Sequence, residues 1–240
     1  KGEYVLLNGN QTLSLIMAYQ LTRWSELGRL DGKEFVVKTI VTSQMPNVMA
    51  AHFGVKCYDC LTGFKYIARI IRNNEGKATY IGGGEESFGY LAGDFVRDKD
   101  ANSAAIIFAE LAAYAESVGK SLLELLHELF EQFGVYLEMG KSLVMEGADG
   151  AAKIAALSTS YSANPPTELD GVAVSGIRDF SKGDMVDAEG DPIPAEKMIF
   201  VDMADGRSFA VRPSGTEPKI KYYLFGHGKP GAPVKEALPA

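Results

Sequence analysis

The stretch EFVVKTIVT, residues 34–42, is short and rich in β-branched side chains, which favours a buried strand. Apolar residues recur at helical intervals before it, in QTLSLIMAYQLTRW (residues 11–24), and after it, in TGFKYIARIIRNN (residues 62–74). Two more strand patterns, VKCYD (residues 55–59) and ATYIGG (residues 78–83), alternate with the helices. This alternation predicts an α/β layer with parallel strands and crossover helices.

The pattern changes after Gly134, where helical spacing gives way to strands and turn residues. Asp205 and Gly206 are typical of a hairpin turn between two of these strands. Strands dominate from Gly171 onward. Before them, the sequence predicts one strand at residues 135–146, a short helix at 149–161 and a Pro-rich linker at 163–171.

Size and composition are those of a globular protein. With 240 residues, 46% of them hydrophobic, the chain can bury one large core or two smaller ones. We predict an α/β fold class with two domains. A mixed α/β-layer domain covers residues 1–133, and residues 134–240 form a linker and a smaller α+β domain with an antiparallel sheet.

Charge and hydropathy exclude several kinds of partner. Lys and Arg number 24 and Asp and Glu 31, a balance of 24 − 31 = −7, so we expect no general attraction to nucleic acid or anionic lipid. No apolar run reaches the roughly 18 residues of a membrane helix, so a cytoplasmic protein is expected. A helix pattern begins within about a dozen residues of Lys1, and we therefore expect a piece of a longer polypeptide.

Cysteine and histidine give little support to redox or metal chemistry. Cys57 and Cys60 form a C-x-x-C pair in a strand-to-loop step rather than at a helix start, which favours two reduced cysteines over a redox pair. The three histidines are far apart in sequence, which argues against a zinc site. DKDAN, residues 98–102, lacks the turn glycine and closing glutamate of a calcium loop.

VRPSGTEPKIKYY, residues 211–223, combines cations, hydroxyls and a glycine around one turn. A guanidinium fork and consecutive backbone N–H groups are suited to phosphate, and glycine permits the close approach of an anion. A common turn with solvated cations is the alternative interpretation. The candidate phosphate ligands are Arg212, Ser214, Gly215, Thr216 and Lys221.

GGGEESFGY, residues 82–90, places two carboxylates and a hydroxyl after three glycines that allow the backbone to bend. If this loop is extended, Glu85 and Ser87 point to one side and Glu86 to the other. A carboxylate beside a hydroxyl suits the hydroxyls of a sugar, and a solvated acidic turn is the alternative. A sugar loop in one domain and a phosphate loop in the other together predict a phosphosugar ligand in the cleft between the domains.

The two motifs together resemble the α-D-phosphohexomutase superfamily, in its phosphoglucomutase and phosphomannomutase branch. GGGEESFG is similar to the sugar-binding loop of the third domain, and RPSGTEPKIKYY to the phosphate-binding loop of the fourth. Four other stretches are similar to the same branch: LLNGNQTLSLI, KTIVTS, LTGFKYI and GDFVRDKDA. The resemblance therefore covers nearly the whole chain.

The resemblance implies a four-domain enzyme that moves a phosphoryl group between the C1 and C6 oxygens of a hexose. A phosphoserine, a hexose 1,6-bisphosphate intermediate and Mg²⁺ belong to that reaction. The sequence contains neither a T-A-S-H-N-P serine loop nor a D-x-D-x-D-R metal loop, both of which belong to the family's first two domains. We therefore expect the C-terminal half of the enzyme, with the Mg²⁺ ligands in the missing N-terminal domains and no turnover by the chain alone.

Site residues follow from the resemblance position by position. Glu85 and Ser87 match the family's sugar-hydroxyl ligands. Lys99 matches a lysine near the phosphoserine, where an ammonium neutralises charge or exchanges a proton; a solvated lysine is the alternative. Thr62 and Gly63 fit a loop that approaches the substrate, although Thr62 could also be only a helix N-cap. The phosphate ligands match Arg212, Ser214, Gly215 and Thr216, with Lys221 as a further match.

The expected activity is that of a phosphoglucomutase or phosphomannomutase acting on a hexose phosphate. Within the family, phosphoglucosamine mutase is the alternative, and the sequence of residues 85–88 disfavours it because it resembles the glucose branch. From another class, the chain could be a non-catalytic phosphosugar-binding module.

Overall fold

The computed structural model describes residues 4–187, 189–214 and 217–232, which form two compact units. Residues 4–134 make up nearly all of the first unit, and the short segments 187, 189–191 and 229–231 belong to it as well. The second unit contains residues 135–186, 192–214, 217–228 and 232.

The first unit is a four-stranded sheet with five helices. In the sheet, whose order is β2-β1-β3-β4, β1 runs parallel to β2 and β3, and β4 is antiparallel to β3. This arrangement confirms the predicted α/β layer. The helices are α1 (Gly9–Glu26), α2 (Met45–His52), α3 (Phe64–Asn73), α4 (Ala101–Ser117) and α5 (Leu122–Phe133), and the strands are β1 (Glu34–Thr39), β2 (Lys56–Cys60), β3 (Thr79–Gly84) and β4 (Tyr90–Ala92).

The sheet of the first unit is buried by helices because its strands are apolar on both faces. Alternate residues of β1, Phe35 and Val37, form a core cluster with Ile67 and Ile71 of α3. Helices α1 and α2 pack on β3 and β2. All six residues of β1 are buried, including Lys38, whose Nζ lies 2.7 Å from Asp59 Oδ1 on the neighbouring strand.

The glycine triplet belongs to the sheet. Gly82 and Gly83 lie in β3, as the strand pattern at residues 78–83 predicted, but β3 also includes Gly84, so the predicted bend at the triplet is wrong. A side chain at these positions would overlap with close neighbours: the Tyr90 hydroxyl at Gly82, the Val37 carbonyl oxygen at Gly83 and the Gly89 carbonyl oxygen at Gly84. The glycines are therefore required by close packing in the sheet, and the short strand β4, which the sequence did not predict, packs against them.

The second unit is a six-stranded antiparallel sheet of order β5-β10-β9-β8-β7-β6 with one long helix. The described part of this unit confirms the predicted antiparallel α+β domain. Its elements are β5 (Val135–Val144), α6 (Gly147–Ala163), β6 (Glu168–Leu169), β7 (Val172–Asp179), a 3-10 turn (Phe180–Lys182), β8 (Ile199–Met203), β9 (Ser208–Pro213) and β10 (Lys219–Gly228).

Helix α6 and the linker differ from the prediction in length. The helix has 17 residues where a short one was predicted, and its Ile154 is buried against Val211 and Ile220 of the sheet. The Pro-rich segment contains the two-residue strand β6, which pairs with β7. The predicted hairpin turn is confirmed: Gly206 has φ +89 between β8 and β9, a conformation that favours glycine.

Within the described ranges, none of the helices combines the length and the apolar character that crossing a membrane would require.

Candidate functional site

Polar groups lie at or just after the ends of three adjacent strands of the first unit, at the same edge of its sheet. In parallel strands this is the carboxyl edge, where α/β proteins bind ligands. Thr39 ends β1, and its hydroxyl lies 2.7 Å from the Thr42 hydroxyl and 3.2 Å from Glu86 Oε2. Gly63, which follows β2, donates its backbone N–H to Glu85 Oε1 over 2.8 Å. The loop after β3 is therefore fixed to the end of β1 and to the segment that follows β2.

The acidic loop itself is a tight turn between β3 and β4. The N–H of Glu85 donates to the carbonyl of Gly89 over 2.8 Å, and Phe88 has φ +69. The extended conformation assumed from the sequence is therefore wrong. Glu85 is only 7% exposed, whereas Ser87 is exposed, so the two side chains have different environments instead of lying side by side on a strand.

Lys99 lies next to this loop. A Cβ added to Gly89 would be 2.8 Å from Glu85 Oε2 and 3.3 Å from Lys99 Cδ, so the carboxylate and the lysine stem meet at the same glycine. The Lys99 ammonium is 5.9 Å from the centre of the Phe64 ring and 3.2 Å from Asp98 Oδ1. More than half of the Lys99 side chain, 56%, is exposed, which leaves it accessible to a ligand.

Thr62 and Gly63 lie at the same edge of the sheet, but Thr62 is not the N-cap of helix α3, as the alternative interpretation required. Gly63 is the N-cap of α3, with φ +118 and no side-chain cap, so the interpretation of Thr62 as the N-cap is wrong. The Thr62 Oγ1 atom is buried, and among the described residues it has no hydrogen-bond partner. A buried hydroxyl without a partner costs free energy, and a polar ligand at this edge would remove that cost.

The cationic loop of the second unit joins β9 to β10. Arg212 and Lys221 are direct cross-strand neighbours, so their side chains lie on the same face of the sheet. Ser214 accepts the N–H of Glu217 at Oγ over 3.2 Å and donates its own N–H to the Lys219 carbonyl. The predicted ligands Gly215 and Thr216 lie outside the described residues.

The guanidinium of Arg212 is held by a residue that the sequence analysis missed. Its Nε lies 2.5 Å from Glu196 Oε1, and both side chains are mostly buried. Burial disfavours the charge of Arg212, but Glu196 and, less strongly, Tyr223 outweigh it and raise the pKa of Arg212 above its ordinary value. No local motif marks Glu196, because it is 16 residues earlier in the chain and belongs to the segment before β8.

A cavity of about 720 Å³ lies beside this ion pair, within the second unit. Its walls include Arg212, Ser214 and Glu196 on the sheet side and Ile154 and Ser162 of α6 on the other. Volumes of about 300–1,000 Å³ are typical of small-molecule sites. The lining contains the cations Arg212 and Lys197 and three carboxylates, those of Asp179, Glu196 and Glu217, so the side that suits an anionic ligand is the one formed by Arg212 and Ser214.

The C-x-x-C pair lies in β2, where both sulfurs are buried and unbonded to each other. Burial, with a smaller contribution from the Asp59 carboxylate, raises the pKa of both thiols far above the ordinary value. Reactive cysteines need the opposite shift, which agrees with the interpretation as two reduced cysteines. Within the part of the chain that the structure describes, no cluster of three or more metal-binding side chains occurs.

Comparison with known families decides the relationship. Residues 8–133 match the alpha/beta/alpha domain III of phosphoglucomutase/phosphomannomutase, and residues 144–231 match the C-terminal domain of the same family. The chain belongs to the phosphoglucomutase/phosphomannomutase family. The predicted resemblance is thus confirmed for both halves of the chain.

Curated relatives and solved structures agree with this membership. The chain is 33% identical over 228 residues to the phosphoglucomutase of Staphylococcus aureus strain bovine RF122 / ET3-1, covering 93% of this chain but 40% of that protein. In fold, 97% of the chain matches 39% of the Paramecium exocytosis-sensitive phosphoprotein pp63/parafusin, a phosphoglucomutase in its open form, with a TM-score of 0.66 and 19% identity.

A second solved structure gives the same result. A phosphoglucomutase/phosphomannomutase family protein from Burkholderia thailandensis matches 97% of this chain and 40% of its own, with a TM-score of 0.52 and 14% identity. The chain therefore spans about two fifths of the length of the family members that it matches.

Proposed function

We propose that this chain is the C-terminal part of a phosphoglucomutase or phosphomannomutase that interconverts hexose 1-phosphate and hexose 6-phosphate through a phosphoserine and a bisphosphate intermediate. The observation that supports this best is the acidic loop, which is fixed at the carboxyl edge of the first sheet. The chain also belongs to the family and contains the cationic loop. We also propose that the domains divide at residues 133 and 134.

In this proposal the acidic loop selects the sugar. The Glu85 carboxylate is held by the Gly63 N–H through one oxygen, so its direction is set before the ligand arrives. Its other oxygen accepts from sugar hydroxyls, while the exposed hydroxyl of Ser87 donates or accepts. Thr62, whose hydroxyl has no partner among the described residues, supplies another group at this edge.

Lys99 is the candidate catalytic residue of this chain. Its ammonium is exposed beside the acidic loop, and its stem packs at Gly89. A cation there neutralises charge on the phosphoryl group during transfer or exchanges a proton with the attacking hydroxyl. The chain would otherwise contribute positioning, which accounts for much of the catalysis in phosphoryl transfer.

The cationic loop, in the same proposal, binds the phosphate that is not being transferred. Arg212 supplies a guanidinium, Ser214 a hydroxyl and Lys221 a second cation on the same face. Gly215 and Thr216 complete the proposed ligand set from the family resemblance.

Mg²⁺ supports phosphoryl transfer by neutralising charge on the phosphoryl oxygens. Because no group of metal-binding side chains occurs among the described residues, we assign no Mg²⁺ ligand to this chain. We propose that the ligands and the phosphoserine belong to the part of the enzyme that the relatives have and this chain does not cover.

A phosphoglucosamine mutase and a non-catalytic phosphosugar-binding module remain the alternatives. The coding sequence upstream of Lys1 separates enzyme from module: an in-frame serine loop and acidic metal loop support the enzyme, and a natural start at this position supports the module. Turnover of glucose 1-phosphate by the 240-residue chain alone would contradict the proposal, since the nucleophile would then have to lie within it.

Two substitutions test the assignment of the loops. Arg212→Ala should weaken binding of inorganic phosphate by about 1.5–3 kcal/mol, roughly ten- to a hundredfold, because a charge-assisted contact is lost. Glu85→Ala should leave inorganic phosphate binding unchanged and reduce the extra affinity for glucose 1-phosphate. Binding is measured by calorimetry for both ligands. If Glu85→Ala instead loses inorganic phosphate and keeps the preference for the sugar phosphate, the acidic loop is not the sugar site.

A further inference from the structure

The ion pair between Glu196 and Arg212 has a geometry that suits a ligand-binding arginine. We propose that Glu196 is a positioning residue, which holds the Arg212 guanidinium by its Nε so that the rest of the fork faces an incoming phosphate. The inference rests on the proposed phosphate site and adds to it a residue that lies outside the conspicuous loop.

A comparison within the second unit separates this pair from an ordinary surface ion pair. Asp202 binds Arg178 at two nitrogens, with 2.8 Å from Nε to Oδ2 and 2.8 Å from Nη2 to Oδ1. Glu196 binds Arg212 through Nε alone, over 2.5 Å. Arginine has five N–H donors in a planar fork, so a contact at Nε fixes the plane of the group. With Tyr223 as a second, weaker partner of the guanidinium, further N–H donors at the two terminal nitrogens are left for a ligand.

Burial and backbone contacts give Glu196 a fixed place from which to hold the guanidinium. Its side chain is 18% exposed, against 27% for Arg212 and 34% for Asp202. The Glu196 N–H donates to the Phe180 carbonyl over 3.1 Å, and its own carbonyl accepts from the Met198 N–H over 2.7 Å. Met198 is 1% exposed, so the segment is tied to the core of the unit.

The surroundings of Glu196 are fixed as well. Phe180, its backbone partner, directly follows Asp179, a buried carboxylate that accepts hydrogen bonds from the hydroxyls of Ser162 over 2.5 Å and Ser181 over 2.6 Å. These contacts tie the end of α6 to the turn that anchors Glu196. Asp179, Glu196 and Arg212 all border the same 720 Å³ cavity, so the anchored carboxylate and the guanidinium meet at the wall of an open space.

Fixing an arginine in advance increases its affinity for a ligand. A free arginine loses rotamer freedom when it binds, which costs about 0.5–1.5 kcal/mol for a rotamer-rich side chain. That cost corresponds to roughly a two- to twelvefold difference in the dissociation constant. Glu196 could also have the opposite effect: a carboxylate this close to the guanidinium would compete with phosphate for it and weaken phosphate binding. The two roles differ in the sign of their effect on phosphate binding.

Three substitutions of Glu196 separate reach from charge. Glu196→Gln keeps the oxygen that accepts from Nε and loses the charge; Glu196→Asp keeps the charge but is one methylene shorter; Glu196→Ala loses both. The probe is inorganic phosphate, titrated into the 240-residue chain and followed by calorimetry and by the Arg212 Nε–H resonance. Asp202→Asn, which removes the charge of the pair with Arg178 and one of its two acceptor oxygens, is the matched control.

We expect Glu196→Gln to bind phosphate at least as tightly as the original chain. Glu196→Asp and Glu196→Ala should bind it roughly three- to tenfold more weakly, with an Arg212 Nε–H resonance that exchanges faster with water. The Asp202→Asn control should leave the dissociation constant unchanged. If Glu196→Ala does not fold, Glu196→Asp decides the question, since it changes only the reach of the side chain.

Two results would overturn the positioning role. Glu196→Ala or Glu196→Asp could bind phosphate as tightly as the original chain or more tightly, which would identify Glu196 as a competitor. Glu196→Gln could be as weak as Glu196→Ala, which would show that the charge and not the hydrogen bond matters. Arg212→Ala distinguishes this failure from failure of the phosphate site: if that variant binds phosphate normally, the site itself is misplaced.

Discussion

The acidic loop of the first unit and the cationic loop of the second are held in place by different means. Glu85 is buried and receives a backbone N–H, and Glu86 receives the hydroxyl of the fully buried Thr39. Arg212 is held by one carboxylate at the end of an antiparallel strand. The buried carboxylate of the acidic loop is thus held partly by a backbone N–H, whereas the guanidinium of the cationic loop is held by another side chain.

The difference predicts where the chain tolerates substitution. Around the acidic loop, small changes in volume or hydrogen bonding should reduce stability, because the groups are buried and have fixed partners. Around the cationic loop, the same changes should affect ligand binding more than folding.

The largest effect is expected from a single methyl group in β3. Gly83→Ala places a Cβ against the carbonyl oxygen of Val37, which belongs to the neighbouring strand and cannot move aside easily. We expect a loss of about 1–3 kcal/mol or more in the free energy of unfolding, measured by urea denaturation. Gly140→Ala is the matched control, since this strand glycine of β5 has open space where a Cβ would be. Equal losses for the two variants would contradict the packing explanation.

A somewhat smaller loss is expected from the hydroxyl that joins β1 to the acidic loop. Thr39→Val keeps the shape of the side chain but leaves the Thr42 hydroxyl and the Glu86 carboxylate without their partner at this position. Buried polar groups that lose a partner cost about 1–3 kcal/mol. Thr159→Val, on the exposed surface of α6, should change stability by less than about 0.5 kcal/mol. Thermal unfolding of both variants checks the difference, and a neutral Thr39→Val would mean that Glu86 is not anchored by Thr39.

The buried thiols predict a dependence on pH. The pKa values of Cys57 and Cys60 are raised in the folded chain from an ordinary value of 9.0. The unfolded chain therefore loses thiol protons first, so this contribution is complete below pH 9 and is lost as the pH rises above it. Urea denaturation between pH 7 and pH 10 should show falling stability.

The double variant Cys57→Ala, Cys60→Ala is the control for the thiol prediction, and its stability should fall less steeply over the same pH range. A thiol reagent at pH 8 should react with the original chain only after unfolding. Fast labelling of the folded chain would show that the sulfurs are accessible and would favour the redox interpretation again.

The smallest effect is expected from an exposed ion pair. Asp202→Asn removes the carboxylate that binds Arg178. The Arg178 side chain is 44% exposed and the Asp202 side chain 34%. Exposed pairs contribute about 0–1 kcal/mol, and salt screens them. In the original chain the guanidinium also lies 4.5 Å from the centre of the Phe200 ring, a contact that does not involve Asp202. A loss larger than that of Thr39→Val would reverse the ranking of buried over exposed contacts.

Periodicity and turn chemistry were sufficient to predict most of the secondary structure. Helix α3, predicted from residues 62–74, and the hairpin turn at Gly206 agree with the sequence prediction because helical spacing and a positive φ are local properties. The bend predicted at the glycine triplet is wrong because the need for glycine there is not a local property. Its need for glycine arises from Val37, Tyr90 and other residues that are distant in the sequence.

By itself the sequence determined the two-part α/β organisation, the two ligand-type loops and the family resemblance, since each is encoded in a contiguous pattern. Only the tertiary structure decided how the loops are held: that Glu85 receives the N–H of Gly63, that Thr62 is not a cap, and that Glu196 holds Arg212. These contacts join residues 16 or more positions apart, or depend on the direction of a single N–H group, because hydrogen bonds require a distance and an angle that no local pattern specifies.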